Sequence, residues 1–363
     1  MSRRVYLIRH GRPDFPDGSC CLGRTDIPLG TIGHMQSCLA VRELEHAGIS
    51  AVFTSPLSRA RETAAYFSPS AVVVPGLREA DMGLWDGLSF REIKERFPEL
   101  YERRGVDMSV PIPGAEEPRA ALCRFEETLM ECLDKSSGDI AAISHSAVIR
   151  LMAARLFGTA LESSREYRVP YCACVTLEYD GGFRLVKIGE APRPELDRAL
   201  CLRLLHAAGA PEKVIEHCAA TAEEAMRIAA ALKESGNDID AELVENAALL
   251  HDIARSLPEH SRRGADWLSE LGYTREAELM RRHHEPEVAS LELTALCLAD
   301  YLRLGARRVS LEERFSESLK KCRDDEALRA HERRRREALA AALRINGLCG
   351  REELTQREIA KKL

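Results

Sequence analysis

Over residues 1–190, short apolar runs alternate with longer stretches whose apolar side chains recur every three to four positions. The runs at 5–8, 51–54, 71–74 and 140–144 read as buried strands, and the stretches at 31–47, 57–67, 90–96, 117–135 and 147–157 read as helices. This alternation predicts an α/β sheet with helices on both faces. The segment CACVTLEYDGGFRLVKIGE (172–190) holds two alternating runs around Asp180-Gly181-Gly182, which predicts a hairpin. The pattern then changes. APRPELD (191–197) carries two prolines and reads as a linker, and residues 198–345 are helical in period with no convincing strand. An α/β domain over 1–193 and an all-α domain over 198–345 are expected, with the boundary near Pro194 and a C-terminal tail at 346–363.

Length and composition support two domains. The chain has 363 residues, 45% of them hydrophobic and 30% charged, enough for two cores. A net charge of −6 offers no general attraction to nucleic acid or an anionic membrane, so any basic site must be local. No run approaches the ~20 apolar residues that span a bilayer, and nothing resembles a signal peptide. A cytoplasmic protein with no membrane or nucleic-acid partner is expected; self-association stays open. Twelve cysteines are scattered without a C-x-x-C pair, so reduced, partly buried thiols are expected rather than a zinc site. Arg333–Arg336 are flanked by Glu332 and Glu337 in helical period and read as a solvated helix face.

Three strand ends carry basic residues. The run at 5–8 leads into Arg9 and His10, with Gly11 next to let the backbone turn. The run at 51–54 leads into SPLSRARETA with Arg59, and the run at 140–144 into His145. Ligands of open α/β sheets bind beyond the carboxyl ends of the strands, so these groups are expected to converge. Arginine forks neutralise a phosphoryl group, and a neutral imidazole is a capable nucleophile near pH 7. Its attack on phosphorus would give a phosphohistidine that water then cleaves. The leaving oxygen needs a proton, which Glu79 or Asp81 in LREADMGLWDG would supply.

Five segments in order, LIRHGRP, GRTDIPLGTIGHMQS, TSPLSRARETA, READMGLWDG and AISHSAVIR, resemble the histidine phosphatases, the phosphoglycerate mutase-like family, over about residues 3–190. The resemblance implies a three-layer α/β/α fold and His10 as nucleophile. It also implies that Arg9, Arg59 and His145 bind the phosphoryl group, with Glu79 as proton donor, Arg24 facing the phosphate and no metal. No added basic residues surround LREADMGLWDG, which favours phosphatase over mutase. CLGRTDIPL resembles the corresponding stretch of α-ribazole phosphatases of cobamide assembly.

The helical half is patterned in histidine. His217 lies early on an amphipathic helix, His251-Asp252 adjoin within an apolar one, and Asp300 ends another. His260 and the pair His283-His284 lie between them. An adjacent His-Asp is costly to bury unless coordinated or paired, and imidazole with carboxylate suits first-row metals. The order H…HD…D resembles the HD-domain metal phosphohydrolases over about 199–315. That implies His217, His251, Asp252 and Asp300 around one metal, and His260, His283 and His284 at a second site. The divalent ion would be Mn, Fe, Zn, Ni, Co or Mg. Arg255 stands where two-metal members commonly have lysine, and no GYP motif follows HHEP, so cyclic dinucleotide cleavage is not implied.

A bifunctional phosphohydrolase results: a metal-independent phosphomonoesterase joined to a metal-dependent hydrolase acting on a small phosphorylated metabolite or nucleotide. Two alternatives stand beside it. One is a cobamide-pathway phosphatase with an accessory HD hydrolase. In the other, the HD half is a non-hydrolytic sensor that regulates the phosphatase.

Overall fold

The computed structural model describes residues 2–15, 20–107, 109–283 and 290–350. The chain divides into two compact units, residues 1–194 and 195–363.

The first unit runs β1 (Arg3–Arg9), α1 (Thr31–Leu44), β2 (Ala51–Thr54), α2 (Ser58–Phe67), β3 (Val72–Val73), α3 (Phe90–Arg96), α4 (Pro98–Val106), α5 (Pro118–Asp134), β4 (Ile140–Ser144), α6 (Ser146–Phe157), β5 (Cys174–Tyr179) and β6 (Phe183–Ile188). Its sheet has the order β3-β2-β4-β1-β5-β6. The first four strands are parallel to one another, and the β5–β6 hairpin is added antiparallel to β1.

Alternate residues of β1 serve opposite faces, as a pleated strand requires. Val5 and Leu7 pack with Phe125 and Leu129 of α5 and Val148 and Met152 of α6. Tyr6 and Ile8 pack instead with Ala60 and Ala64 of α2. The sheet is therefore covered on both sides, which is why its central strands read as unbroken apolar runs. Two departures from the sequence pattern are local. The expected strand at 71–74 shrinks to the exposed edge pair Val72–Val73, and α4, with no buried side chain, carries no apolar stripe to betray it.

The second unit is helical: α7 (Arg198–Ala207), α8 (Glu212–Glu234), α9 (Ala241–Leu250), α10 (His260–Glu270), α11 (Thr274–Arg282), α12 (Leu291–Tyr301), α13 (Leu311–Leu319) and α14 (Asp325–Cys349). Asp197, Asp240, Ser290, Ser310 and Asp324 each accept a backbone N–H three residues on, and so start five of these helices. The expectation of a strandless half needs correction. Arg303–Leu304 and Arg307–Arg308 (β7 and β8) pair as a hairpin around Gly305, whose φ is +61°; arms of two residues are too short to show alternation. Helix α14 also continues past 345 to Cys349, where left-handed Gly350 ends it. The rest of the expected tail, 351–363, lies outside the described residues. Among the described residues no helix is long and apolar enough to cross a membrane.

Candidate functional site

Parallel pairing of β1 with β4 sets Arg9 opposite Ser144, so the residues that follow, His10 and His145, emerge side by side. Their ring centroids are 5.0 Å apart. Gly11 is not left-handed, contrary to the expected turn role. A Cβ there would stand 2.4 Å from the Gly33 carbonyl oxygen, so glycine lets this strand end lie directly on the start of α1.

His10 Nδ1 lies 2.7 Å from the Gly11 carbonyl oxygen. A carbonyl only accepts, so Nδ1 carries the proton and Nε2 keeps its lone pair. The fully buried Arg59 donates Nε–H to that Nε2 at 3.2 Å and is braced by the Thr25 and Gly23 carbonyls at 2.8 and 3.0 Å. Arg9 donates to the Val169 carbonyl at 2.7 Å and lies over the Tyr171 ring at 3.7 Å; its Nε is buried without a partner. Burial, then the charges of Arg59 and Arg9, push the His10 pKa well below the usual imidazole range. Burial also lowers that of His145, with His10 and the two arginines adding to it. Two imidazoles held back from protonation thus stand beside the fully buried Arg59 and the half-buried Arg9, an environment built for an anion.

Glu79 is buried at the start of α6. Its carboxyl oxygens accept from the backbone N–H groups of Ala147 at 2.9 Å, Val148 at 3.1 Å and Ala80 at 3.0 Å. Arg24 behaves differently. It is exposed, and its guanidinium pairs with Asp81 at 3.1 Å.

In the second unit, His251 and Asp252 do not sit within the apolar helix. They follow its last residue, Leu250, in a run of turns, and this lets both side chains face inward. His217 comes from α8, His260 opens α10, His283 caps α11 and Asp300 lies in the last turn of α12. Three ring nitrogens are anchored outward: Nδ1 of His217 on the Gly305 carbonyl at 3.1 Å, of His251 on Ala248 at 2.8 Å and of His283 on Met280 at 2.6 Å. Each Nδ1 therefore carries a proton, and Nε2 is left as the ligand atom.

Those atoms converge on carboxylates. His217 Nε2 is 3.1 Å from Asp300 Oδ1, and His251 Nε2 is 3.7 and 3.8 Å from oxygens of Asp252 and Asp300. His251 Nε2 is buried without a hydrogen bond. His260 Nε2 lies 3.2 Å from Asp252 Oδ1 while accepting from Arg255 at 2.8 Å. Three sets, His217-His251-Asp252, His251-His283-Asp300 and Asp252-His260-His283, each bring ligand atoms within 4.8 Å of one another. Burial pushes the Asp300 pKa up, but His217 and the neighbouring histidines, which in their protonated form donate and lend positive charge to it, outweigh this and hold it well below the carboxylate range. An inward-facing set of imidazole nitrogens and carboxylates, buried at His251, Asp252, His283 and Asp300 and half-buried at His217 and His260, fits a divalent cation. His284 lies outside the described residues.

The family model described as histidine phosphatase superfamily (branch 1) matches residues 5–190, just over half of the chain. The chain belongs to the histidine phosphatase superfamily. An HD domain follows at residues 214–305. A Mycobacterium tuberculosis protein described as bifunctional is 38% identical over 118 residues, 31% of this chain and 32% of its own length. The chain thus spans about a third of that relative. A probable phosphoglycerate mutase of Yersinia enterocolitica is 26% identical over 185 residues, 48% of this chain and 85% of its own. Among solved structures, a mycobacterial glucosyl-3-phosphoglycerate phosphatase has a TM-score of 0.47 at 21% identity, covering 53% of this chain and all of its own. A putative α-ribazole-5'-phosphate phosphatase of Escherichia coli has a TM-score of 0.47 at 23% identity, with 53% and 99% covered.

Within this histidine phosphatase unit, two neighbours of the strand-end cluster went unnoticed in the sequence. Tyr171 lies beneath Arg9 and 5.8 Å from the His10 ring; Ser55 Oγ contacts His145 Nε2 at 2.7 Å. Tyr171 belongs to no motif, and Ser55 looks like an ordinary helix-start residue.

Proposed function

We propose that the chain is a bifunctional phosphohydrolase, with a metal-independent phosphomonoesterase at His10 and a metal-dependent phosphate-ester hydrolase in the HD domain. The domains invoked are residues 1–193 and 198–345. The observation that carries the reading is a buried His10 whose Nδ1 is held by the Gly11 carbonyl and whose Nε2 faces Arg59, flanked by Arg9 and His145.

In the first reaction, Nε2 of His10 attacks phosphorus, a P–N bond forms and the ester P–O bond breaks. Glu79 gives its proton to the departing oxygen. Arg9, Arg59 and His145 hold the phosphoryl oxygens, and the partnerless Arg9 Nε is available for that purpose. Water then attacks phosphorus while giving a proton to Glu79; a P–O bond forms, the P–N bond breaks, phosphate leaves and Nε2 of His10 regains its lone pair. Arg24, exposed and paired with Asp81, stands at the rim and meets the substrate before Arg9 and Arg59 do.

In the HD domain, His217, His251, Asp252 and Asp300 would hold one divalent cation, with His260 and His283 toward a second. A cation there supplies Lewis acidity to a phosphate oxygen. The backbone carbonyls on Nδ1 keep the imidazoles in the ligating tautomer, and Arg255 draws His260 toward itself. The substrate is a small phosphorylated metabolite or nucleotide.

The test is turnover of an aryl phosphate and a panel of phosphomonoesters by wild type and His10→Ala, in chelator and again with Mn or Fe. Activity that survives chelator and vanishes in His10→Ala is expected, with a metal-stimulated remainder that needs Asp252. Activity indifferent to His10 in chelator would defeat the first half. Ligand binding without product in the metal-loaded protein would favour a sensor role for the second.

A further inference from the structure

The cavity that opens on the HD cluster has a volume of about 480 Å3, and His217, Asp252, His260 and Asp300 form only part of its wall. The remainder is built by Arg255 and Tyr301 and by Arg314, Phe315, Ser318 and Arg334. The last four come from α13 and α14, beyond the HD match, which ends at residue 305. Arg334 belongs to the four-arginine run. That run is exposed, as a solvated face should be, yet one of its members turns a charge toward this cavity.

Neither Arg314 nor Arg334 forms an ion pair among the described residues, although the neighbours Arg333 and Arg335 pair with Glu337 and Glu332 at 4.0 Å each. Arg314 Nε is buried with no partner, and so is the hydroxyl of Tyr301, a residue only 4% exposed. Orphaned buried donors are rare, and two on one cavity wall point to a ligand that completes them. Charge agrees. Arg255, Arg314 and Arg334 outnumber Asp252 and Asp300 on this cavity before any cation is added, and of the three only Arg255 is paired with one of those carboxylates, at 3.5 Å.

We propose that Arg314 and Arg334 bind a second anionic group of the HD substrate, a phosphate or carboxylate set apart from the ester that the His-Asp cluster receives. The substrate class is then a phosphate ester with two acidic ends, joined by a body that lies against Phe315 and Tyr301. This inference rests on the reading of the cluster as a metal site. It assigns binding residues outside the HD match.

The full-length protein is loaded with Co(II), whose visible absorption reports only on the cluster, and titrated with phenylphosphonate and with para-carboxyphenylphosphonate. The carboxylated probe should bind at least about 10-fold tighter, as for a charge-assisted arginine pair of about 1.5 kcal/mol. Arg314→Met and Arg334→Met should each shrink that ratio while still binding Co(II). Equal affinities in wild type, or a ratio that both variants preserve, would overturn the proposal. If Co(II) does not bind, the metal reading fails on its own. The arginine wall is then judged by calorimetry in chelator, comparing His10→Ala with His10→Ala/Arg334→Met for the carboxylated probe. Weaker binding by the double variant upholds the wall and unchanged binding removes it.

Discussion

The two sites use the same residue in the same way and, in the proposed reading, for opposite chemistry. In each, a histidine donates an Nδ1–H hydrogen bond to a backbone carbonyl and turns Nε2 inward: His10 on Gly11 at 2.7 Å, His251 on Ala248 at 2.8 Å and His283 on Met280 at 2.6 Å. What differs is the charge that Nε2 meets. His10 Nε2 faces the Arg59 guanidinium, whereas His217 and His251 face Asp252 and Asp300. Arginines leave a lone pair among cations, a place for an anion that the imidazole can attack. Carboxylates leave a lone pair among negative oxygens, a place only a proton or a metal cation relieves. The anchor sets the tautomer, and the neighbour's sign decides what the histidine is for.

Removing His10 gives the largest effect that comparison predicts. His10→Ala should lower chelator-resistant aryl phosphate turnover by roughly four orders of magnitude and abolish any acid-labile phosphoprotein trapped on quenching. A residual rate within tenfold would mean that a different group takes the phosphoryl. Next comes the support of the second site. Glu224 is buried and accepts from Arg303 at 3.1 Å and Arg308 at 3.0 Å, which ties the β7–β8 hairpin, and with it the Gly305 carbonyl on His217, to α8. Glu224→Leu strands Arg303 and should cost about 3–5 kcal/mol in urea unfolding of the helical unit. A cost below about 1 kcal/mol would show the clamp to be ornamental.

Much of this contrast was legible in the chain, though unevenly. The strand-end residues Arg9, His10 and His145 stand out because a buried apolar run marks the strand and the polar residue after it must leave the sheet. Adjacency of His10 and His145 is a matter of topology, since β4 pairs with β1 across more than 130 residues. Tyr171 and Ser55 carry no local signal at all; they enter the site from loops. Glycine at position 11 was visible but its purpose was not, because a turn and a close approach ask for the same residue. His251-Asp252 was conspicuous for its cost, yet its place just past the helix end follows from Leu250 closing α9, which no period reveals. Arg334 was masked by its neighbours: four arginines in a row look alike until the helix assigns each a direction.

A milder substitution sharpens the cation side. Asp300→Asn keeps the shape of the carboxylate and removes its charge from His217, 3.1 Å away. Co(II) or Mn(II) affinity should fall about 100-fold in direct titration. Unchanged affinity would place the ion elsewhere. On the anion side the corresponding small step is Tyr171→Leu, which removes the ring under Arg9. A cation–π contact in a partly buried site is worth about 1 kcal/mol, so inorganic phosphate should inhibit about fivefold less well. Stronger inhibition would mean that the ring restrains Arg9 rather than presenting it.

The smallest expected effect is that of mild acid on the first site, and it tests the sign argument most directly. Burial first, then Arg59 and Arg9, depress the His10 pKa, and burial with His10 and the same arginines depresses that of His145. Both rings should stay neutral while a free imidazole, with a pKa of about 6.5, gains its proton. Side-chain nitrogen NMR between about pH 7.5 and 5.5 should therefore show the two rings unchanged, with the His10 Nδ1 proton retained. Stability moves the other way. The unfolded chain takes up protons near pH 6.5 that the folded one refuses, so the contribution of these two rings is full above that pH and declines below it. If His10 instead titrates near 6.5, its Nε2 is not held among cations, and the difference in neighbouring charge no longer separates the two sites.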